Sequence, residues 1–221
     1  MSFTLTLIRD FVTDLRRTPS VAFRRLQLKK SHQLAVGYIG WVGHNNLGDE
    51  AMFGAVGKAM SRFEVLDLLP EPGEHLLTKL GLGGPAIFRA VLLGGGTLIN
   101  PLYLRVAQMI RKFNLPLYTV GTGIGNPGFG ASSPDHSLEG WADILRESPL
   151  VSVRGPLSAH RLRQAGIAHT EIIGDPALAF TPETEPPFRS RRQLVINLTQ
   201  ESGSRYGTGD YEIFRQVGKL A

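Results

Sequence analysis

Gly37-Tyr38-Ile39-Gly40-Trp41-Val42-Gly43-His44-Asn45-Asn46-Leu47-Gly48-Asp49-Glu50-Ala51 ends one apolar run, breaks at glycines and opens a helical pattern. Leu92-Leu93-Gly94-Gly95-Gly96-Thr97-Leu98-Ile99-Asn100 repeats the device, with a helix pattern from Pro101. Val120-Gly121-Thr122-Gly123-Ile124-Gly125-Asn126-Pro127 gives a third apolar run followed by glycines. In an open parallel sheet the carboxyl ends of the strands face one crevice, and ligands bind there. Glycine lets a backbone turn with positive φ and approach a ligand closely. Three such loops along one edge therefore predict a ligand site as well as a fold.

Outward from these stretches, strand and helix signals alternate. Strands are expected at Leu34–Ile39, Glu64–Leu69, Ala90–Leu93, Leu115–Val120, Leu150–Val153 and Glu171–Ile173. Helices are expected at Asp49–Arg62, Glu74–Leu80, Pro101–Phe113, Leu138–Arg146 and Pro156–Ala165, with Pro101 and Pro156 in first-turn positions. Such alternation predicts right-handed βαβ units and a doubly wound, Rossmann-like parallel sheet over residues 34–180. Residues 181–192 are rich in proline and charge and read as a linker. A strand at Leu194–Leu198 and a helix at Tyr211–Leu220 then read as the start of a second α/β domain. Residues 193–221 are too few for a core of their own, so this domain is expected to be truncated or to pack on the first.

Composition narrows the function. There is no cysteine, hence no disulfide framework and no thiolate metal site or nucleophile. No run approaches the roughly 18 apolar residues of a membrane span. The opening Met1 to Arg9 lacks the order of a secretory signal, and a cytoplasmic location is the expectation. Residues 1–33 carry seven basic and two acidic side chains, which is the whole net charge of +5. The remainder balances, so the high pI describes an N-terminal segment and no nucleic-acid groove. In that segment Leu7, Ile8, Phe11, Val12 and Leu15 recur at helical spacing beside arginines. It reads as an interfacial helix touching anionic lipid at the inner membrane face, as a helix packed on the domain, or as a loosely ordered extension.

Each glycine stretch admits two readings. Gly43 and Gly48 have the spacing of a phosphate loop, but Asp49 and Glu50 follow where lysine and Ser/Thr are required. Asp49 is then a helix-capping residue, or an acid, base or acceptor for sugar hydroxyls. Gly94, Gly95, Gly96 and Thr97 offer N–H groups to an anion ahead of a helix, or form a turn demanded by packing. Gly121, Gly123 and Gly125 mimic a dinucleotide fingerprint but lead into Asn126-Pro127 and no helix. Arg154 ends a strand at the crevice and suits bidentate contact with a carboxylate or phosphate, or pairs with Asp175 at the end of the next strand. His44, His136 and His160 stand alone, and no cluster has metal spacing. Neither a metal nor a cofactor is expected.

In order, Gly37-Tyr38 to Gly48-Asp49-Glu50-Ala51, Leu93 to Ile99, Gly121 to Gly125, Val151-Ser152-Val153-Arg154-Gly155-Pro156-Leu157-Ser158 and Gly174-Asp175-Pro176-Ala177 resemble the polysaccharide pyruvyl transferase family. The resemblance implies two Rossmann-like domains in a glycosyltransferase-B-like arrangement, this chain holding the first. It implies transfer of a pyruvyl group from phosphoenolpyruvate to a sugar of a cell-surface polysaccharide, with a cyclic ketal formed and phosphate released. Asp49 and Glu50 are the catalytic candidates. Gly94, Gly95, Gly96, Thr97 and Arg154 are candidates for the anionic donor. Asn45, Asn46, Gly121, Gly123, Gly125 and Asp175 are candidates for sugar or loop contacts. Members of the family are longer, and a catalytic histidine is implied in the second domain; no histidine follows His169 here. A nucleotide-sugar glycosyltransferase of the same architecture, or a non-catalytic sugar- or anion-binding half-domain, are the alternatives.

Overall fold

The computed structural model describes residues 19–181, apart from 32, 34, 45, 69, 70, 126–137 and 139. The expected second unit, the linker from residue 182 and residues 1–18 lie outside the described residues. Helix α1 (19–31) leads into β1 (Ala35–Ile39), α2 (Leu47–Ala59), β2 (Glu64–Asp67) and α3 (Glu71–Lys79). Then come β3 (Phe88–Leu93), β4 (Gly96–Ile99), α4 (Pro101–Lys112), β5 (Leu117–Ile124), α5 (Trp141–Arg146), β6 (Val151–Val153), α6 (Pro156–Gln164) and β7 (Thr170–Ile172). A 3-10 turn, Pro176–Phe180, follows.

Among the described residues the sheet has seven strands, all parallel, in the order β2-β1-β3-β5-β6-β7, with β4 also paired to β5. The chain runs outward from β1 to β2, returns past β1 to β3, and then builds in the other direction. The reversal lies between β1 and β3, where an open α/β sheet places its ligand crevice. Side chains alternate across the strands and separate two cores. Ala35, Ile39, Val91 and Leu93 join Ile110, Trp141, Leu145 and Leu162 on one face. Val36, Tyr38 and Leu92 join Val56 and Val65 on the other. Both faces are covered, which is why these strands are apolar throughout.

The triple glycine follows the end of β3 at Leu93 and precedes a helix from Pro101 as expected, but a strand the sequence did not suggest, β4, lies between them and runs along β5, with Gly96 opposite Thr122 and Ile99 opposite Ile124. The third glycine stretch is accordingly strand up to Ile124, because β4 supplies it with a partner. Of the basic N-terminal segment, Leu7 to Leu15 lie outside the described residues, while α1 packs on the domain. Arg25 is fully buried and bonds both oxygens of buried Glu74 on α3 at 2.7 and 2.9 Å. It reaches the Leu82 and Asp67 carbonyls at 3.2 and 3.3 Å and lies 4.8 Å from the Phe88 ring centre. Leu28 joins the larger core. A residue counted as solvated charge is thus the anchor of its helix, and α1 belongs to the body.

Candidate active site

The crevice is built where β1 and β3 end. Asn46 caps α2: its side-chain oxygen accepts from the Gly48 N–H at 3.1 Å. Asn46 thus makes the side-chain cap, and Asp49 stands in the first turn, where its charge complements the helix dipole. Glu50 turns away, its Oε1 accepting from Gly43 N–H at 2.6 Å. Gly43 has φ of 82°. Glu50 therefore clamps the loop between β1 and α2, on which Trp41 and His44 stack 4.0 Å apart. Asn45 lies outside the described residues.

The triple glycine serves three neighbours. A Cβ at Gly94 would lie 2.0 Å from the Tyr38 hydroxyl, and one at Gly95 would lie 2.0 Å from the Met52 sulfur. Gly96, with φ of 89°, instead faces Asp49, whose Oδ1 lies 3.5 Å from the site of its missing Cβ. The N–H of Gly94 already donates to the Ile39 carbonyl at 2.9 Å, and the Gly95 backbone bonds the Tyr38 hydroxyl. At the head of α4 the Asn100 oxygen accepts from Leu102 and Tyr103 N–H at 2.9 and 3.2 Å. The packing reading of these glycines accounts for their placement, and much of the N–H supply expected for an anion is already used. Thr97 is exposed, and its carbonyl accepts from the Asn100 amide at 2.8 Å.

Across the floor, Gly123 leaves its face open to the Gly96 carbonyl, the Thr97 methyl and Arg154. The Gly96 carbonyl lies 3.2 Å and Arg154 Nη2 3.8 Å from its missing Cβ. The Arg154 N–H is fixed to the Thr122 carbonyl at 2.9 Å. Its Nη1 meets Asp175 Oδ2 at 3.4 Å, while Asp175 Oδ1 accepts from Ala177 N–H at 2.9 Å. Residues 174–180 then cross back to α2, with Phe180 3.6 Å from the missing Cβ of Gly54. Gly121 makes room for this strap, since a Cβ there would lie 2.6 Å from both the Gly174 carbonyl and Pro176. Gly125 is drawn elsewhere, with its N–H on Ile99 and its carbonyl on Arg161.

The structure thus gathers Asp49, Gly96, Gly123, Arg154 and Asp175. It assigns Asn46 and Glu50 to the loop and helix cap. Burial, and then the charges of Glu50 and Asp175, push the Asp49 carboxyl from 3.8 up to about 6, against the opposing pull of Arg154. It can hold or release a proton near neutrality, as general acid–base chemistry requires. Sequence reasoning missed Tyr38 and Tyr103. Burial first, with the Asp49 charge adding to it, holds both phenols above their ordinary range, so both stay protonated donors. The available signal was the pair Gly40 and Gly94, whose missing Cβ atoms both abut Tyr38. Among the described residues no three metal-ligating side chains cluster, and no helix is long and apolar enough to cross a membrane.

Neither the curated proteins nor the solved structures contain a match to the chain. The sequence model of polysaccharide pyruvyl transferase does match, over residues 46–217, from the cap of α2 through the crevice and beyond the described residues. That span is most of the chain and holds Asp49, the glycine floor, Arg154 and Asp175, and the chain belongs to the polysaccharide pyruvyl transferase family.

Proposed function

We propose that the protein transfers a pyruvyl group from phosphoenolpyruvate to two hydroxyls of one sugar in a surface polysaccharide. The vinyl carbon takes a proton and becomes the methyl group. One sugar oxygen bonds to the adjacent carbon, the carbon–oxygen bond to phosphate breaks, and a second hydroxyl closes the cyclic ketal. The two hydroxyl protons balance the proton taken up by the vinyl carbon and that leaving with phosphate. Asp49 is the group suited to move a proton, and positioned acid–base groups contribute roughly 10² to 10⁴-fold to such steps. Arg154 is suited to a carboxylate or phosphate of the donor. Tyr38 and Tyr103, kept protonated, are donors toward developing negative charge.

The observation that carries this reading is a carboxyl titrating near 6 in the same crevice as Arg154, at the turning point of the sheet. The acceptor is a saccharide, and Asp49 and Asp175 suit its hydroxyls better than an anion. The remainder of the site belongs, on this reading, to a second α/β unit beginning after residue 192. Peripheral contact with anionic lipid on the cytoplasmic side is part of the proposal. Phe23 and Leu26 are exposed on α1 beside Lys30, which supports it.

The test is phosphate release from phosphoenolpyruvate with a panel of saccharide acceptors. The reading expects release that depends on acceptor and falls at least 100-fold in Asp49→Asn. Turnover of a nucleotide sugar in its place would establish the glycosyltransferase alternative. Binding of both ligands without turnover would favour a non-catalytic module.

A further inference from the structure

Asp175 spans two parts of the crevice. One carboxylate oxygen holds the N–H of Ala177 at 2.9 Å and so fixes the 3-10 turn of the strap. The other meets Arg154 Nη1 at 3.4 Å. The strap itself is seated by contact, since Gly121 lacks a side chain where the Gly174 carbonyl and Pro176 lie. It reaches α2, the helix of Asp49, through Phe180 against Gly54. Arg154 is anchored at its backbone by Thr122, but among the described residues Asp175 makes the hydrogen bond recorded for its guanidinium. With Nη1 held there, Nη2 stands over Gly123, beside the Gly96 carbonyl.

We infer that Asp175 is a positioning residue: the strap fixes its carboxylate, and the carboxylate aims the free edge of Arg154 across the Gly96–Gly123 floor toward an anionic ligand. The inference rests on the reading of Arg154 as the anion-holding residue. The pair is too open to matter for stability, with side chains 43% and 29% exposed. Its consequence is orientation. An exposed arginine has many rotamers, and fixing the planar fork beforehand lowers the cost of its hydrogen bonds. Charge alone acts the other way. Asp175 is a negative group beside an anion site, so if it were only a competitor its removal would tighten anion binding.

Calorimetric titration of phosphoenolpyruvate and inorganic phosphate separates these cases. Asp175→Asn keeps an oxygen for Ala177 N–H and removes the charge. Asp175→Glu keeps the charge and displaces it by one methylene. Positioning predicts at least fivefold weaker binding in both, with amide exchange at residues 177–180 unchanged in Asp175→Asn. It also predicts that adding Asp175→Asn to Arg154→Ala weakens binding no further, because the effect acts through the arginine. Wild-type or tighter binding in Asp175→Asn, or wild-type binding in Asp175→Glu, overturns the inference while leaving Arg154 in place. A further loss in the double variant overturns it too. Normal binding in Arg154→Ala alone would instead remove the reading beneath it.

Discussion

Replacing Asp49 by asparagine should stabilise the protein at neutral pH while removing its activity. The carboxyl is taken from 3.8 to about 6, chiefly by burial and then by Glu50 and Asp175. Its folded-state value is raised, so the sign is fixed. Below about pH 4 the group is protonated in both states and has no effect on folding. As pH rises the unfolded chain releases the proton first, and stability declines until the folded carboxyl has also ionised, above about 6. At ~1.4 kcal/mol per pH unit the full penalty is ~3 kcal/mol. Partial solvent access at the crevice lowers this to ~1–2 kcal/mol. Asparagine also gives up the favourable charge in the first turn of α2, about 0.3–1 kcal/mol. The net gain is ~1 kcal/mol, which corresponds to roughly 2–4 °C for a domain of this size. Melting curves of both proteins at pH 4.5, 6 and 7.5 measure it, with the gain growing across the series. An equal shift at every pH, or a fall in melting temperature at pH 7.5, would refute the claim that this carboxyl is strained toward neutrality.

Three further substitutions have expected outcomes. Glu74→Leu leaves buried Arg25 without its carboxylate and should cost about 3–5 kcal/mol in thermal or urea unfolding, whereas Arg25→Met with Glu74→Leu should recover most of it; equal, small effects would show that this pair does not anchor α1. Gly94→Ala places a methyl 2.0 Å from the Tyr38 hydroxyl and 2.1 Å from its ring carbon Cζ, and should destabilise by about 1–3 kcal/mol, an effect that Tyr38→Phe, which keeps the ring, should leave in place. Glutamates at Phe23 and Leu26 should reduce sedimentation with phosphatidylglycerol vesicles at low salt at least fivefold without shifting the melting curve.

The doubly wound sheet was legible because its strands are apolar on both faces and its helices start at marked positions, such as Pro101 after Asn100. The glycine stretches were legible as important but not in form. A glycine in sequence signals a break, yet Gly121 to Gly123 lie within β5, where the strap presses on Gly121 and the Gly96 carbonyl on Gly123. That approach is made by residues far away in the chain, beyond the reach of local pattern. Asp49 and Arg154 stand out in the sequence through their places at a helix start and a strand end. Neighbouring Glu50 was indistinguishable from Asp49 until the loop showed Gly43 bonded to it. Tyr38 was hidden inside a strand whose alternation accounts for it as core. Arg25 was hidden by its charge: nothing in residues 19–31 shows that Glu74 will arrive to bury it.

Calorimetric titration of phosphoenolpyruvate into the wild-type protein and Arg154→Ala, with a melting curve for each, tests the site most directly. A charged hydrogen-bond donor at a half-open site contributes about 1.5–3 kcal/mol. The account predicts binding to the wild type, at least tenfold weaker binding to Arg154→Ala, and melting temperatures within about 2 °C, since the arginine's ion pair with Asp175 is exposed. Equal affinity in the two proteins would contradict it, and so would an alanine variant that binds poorly only because it has lost its fold.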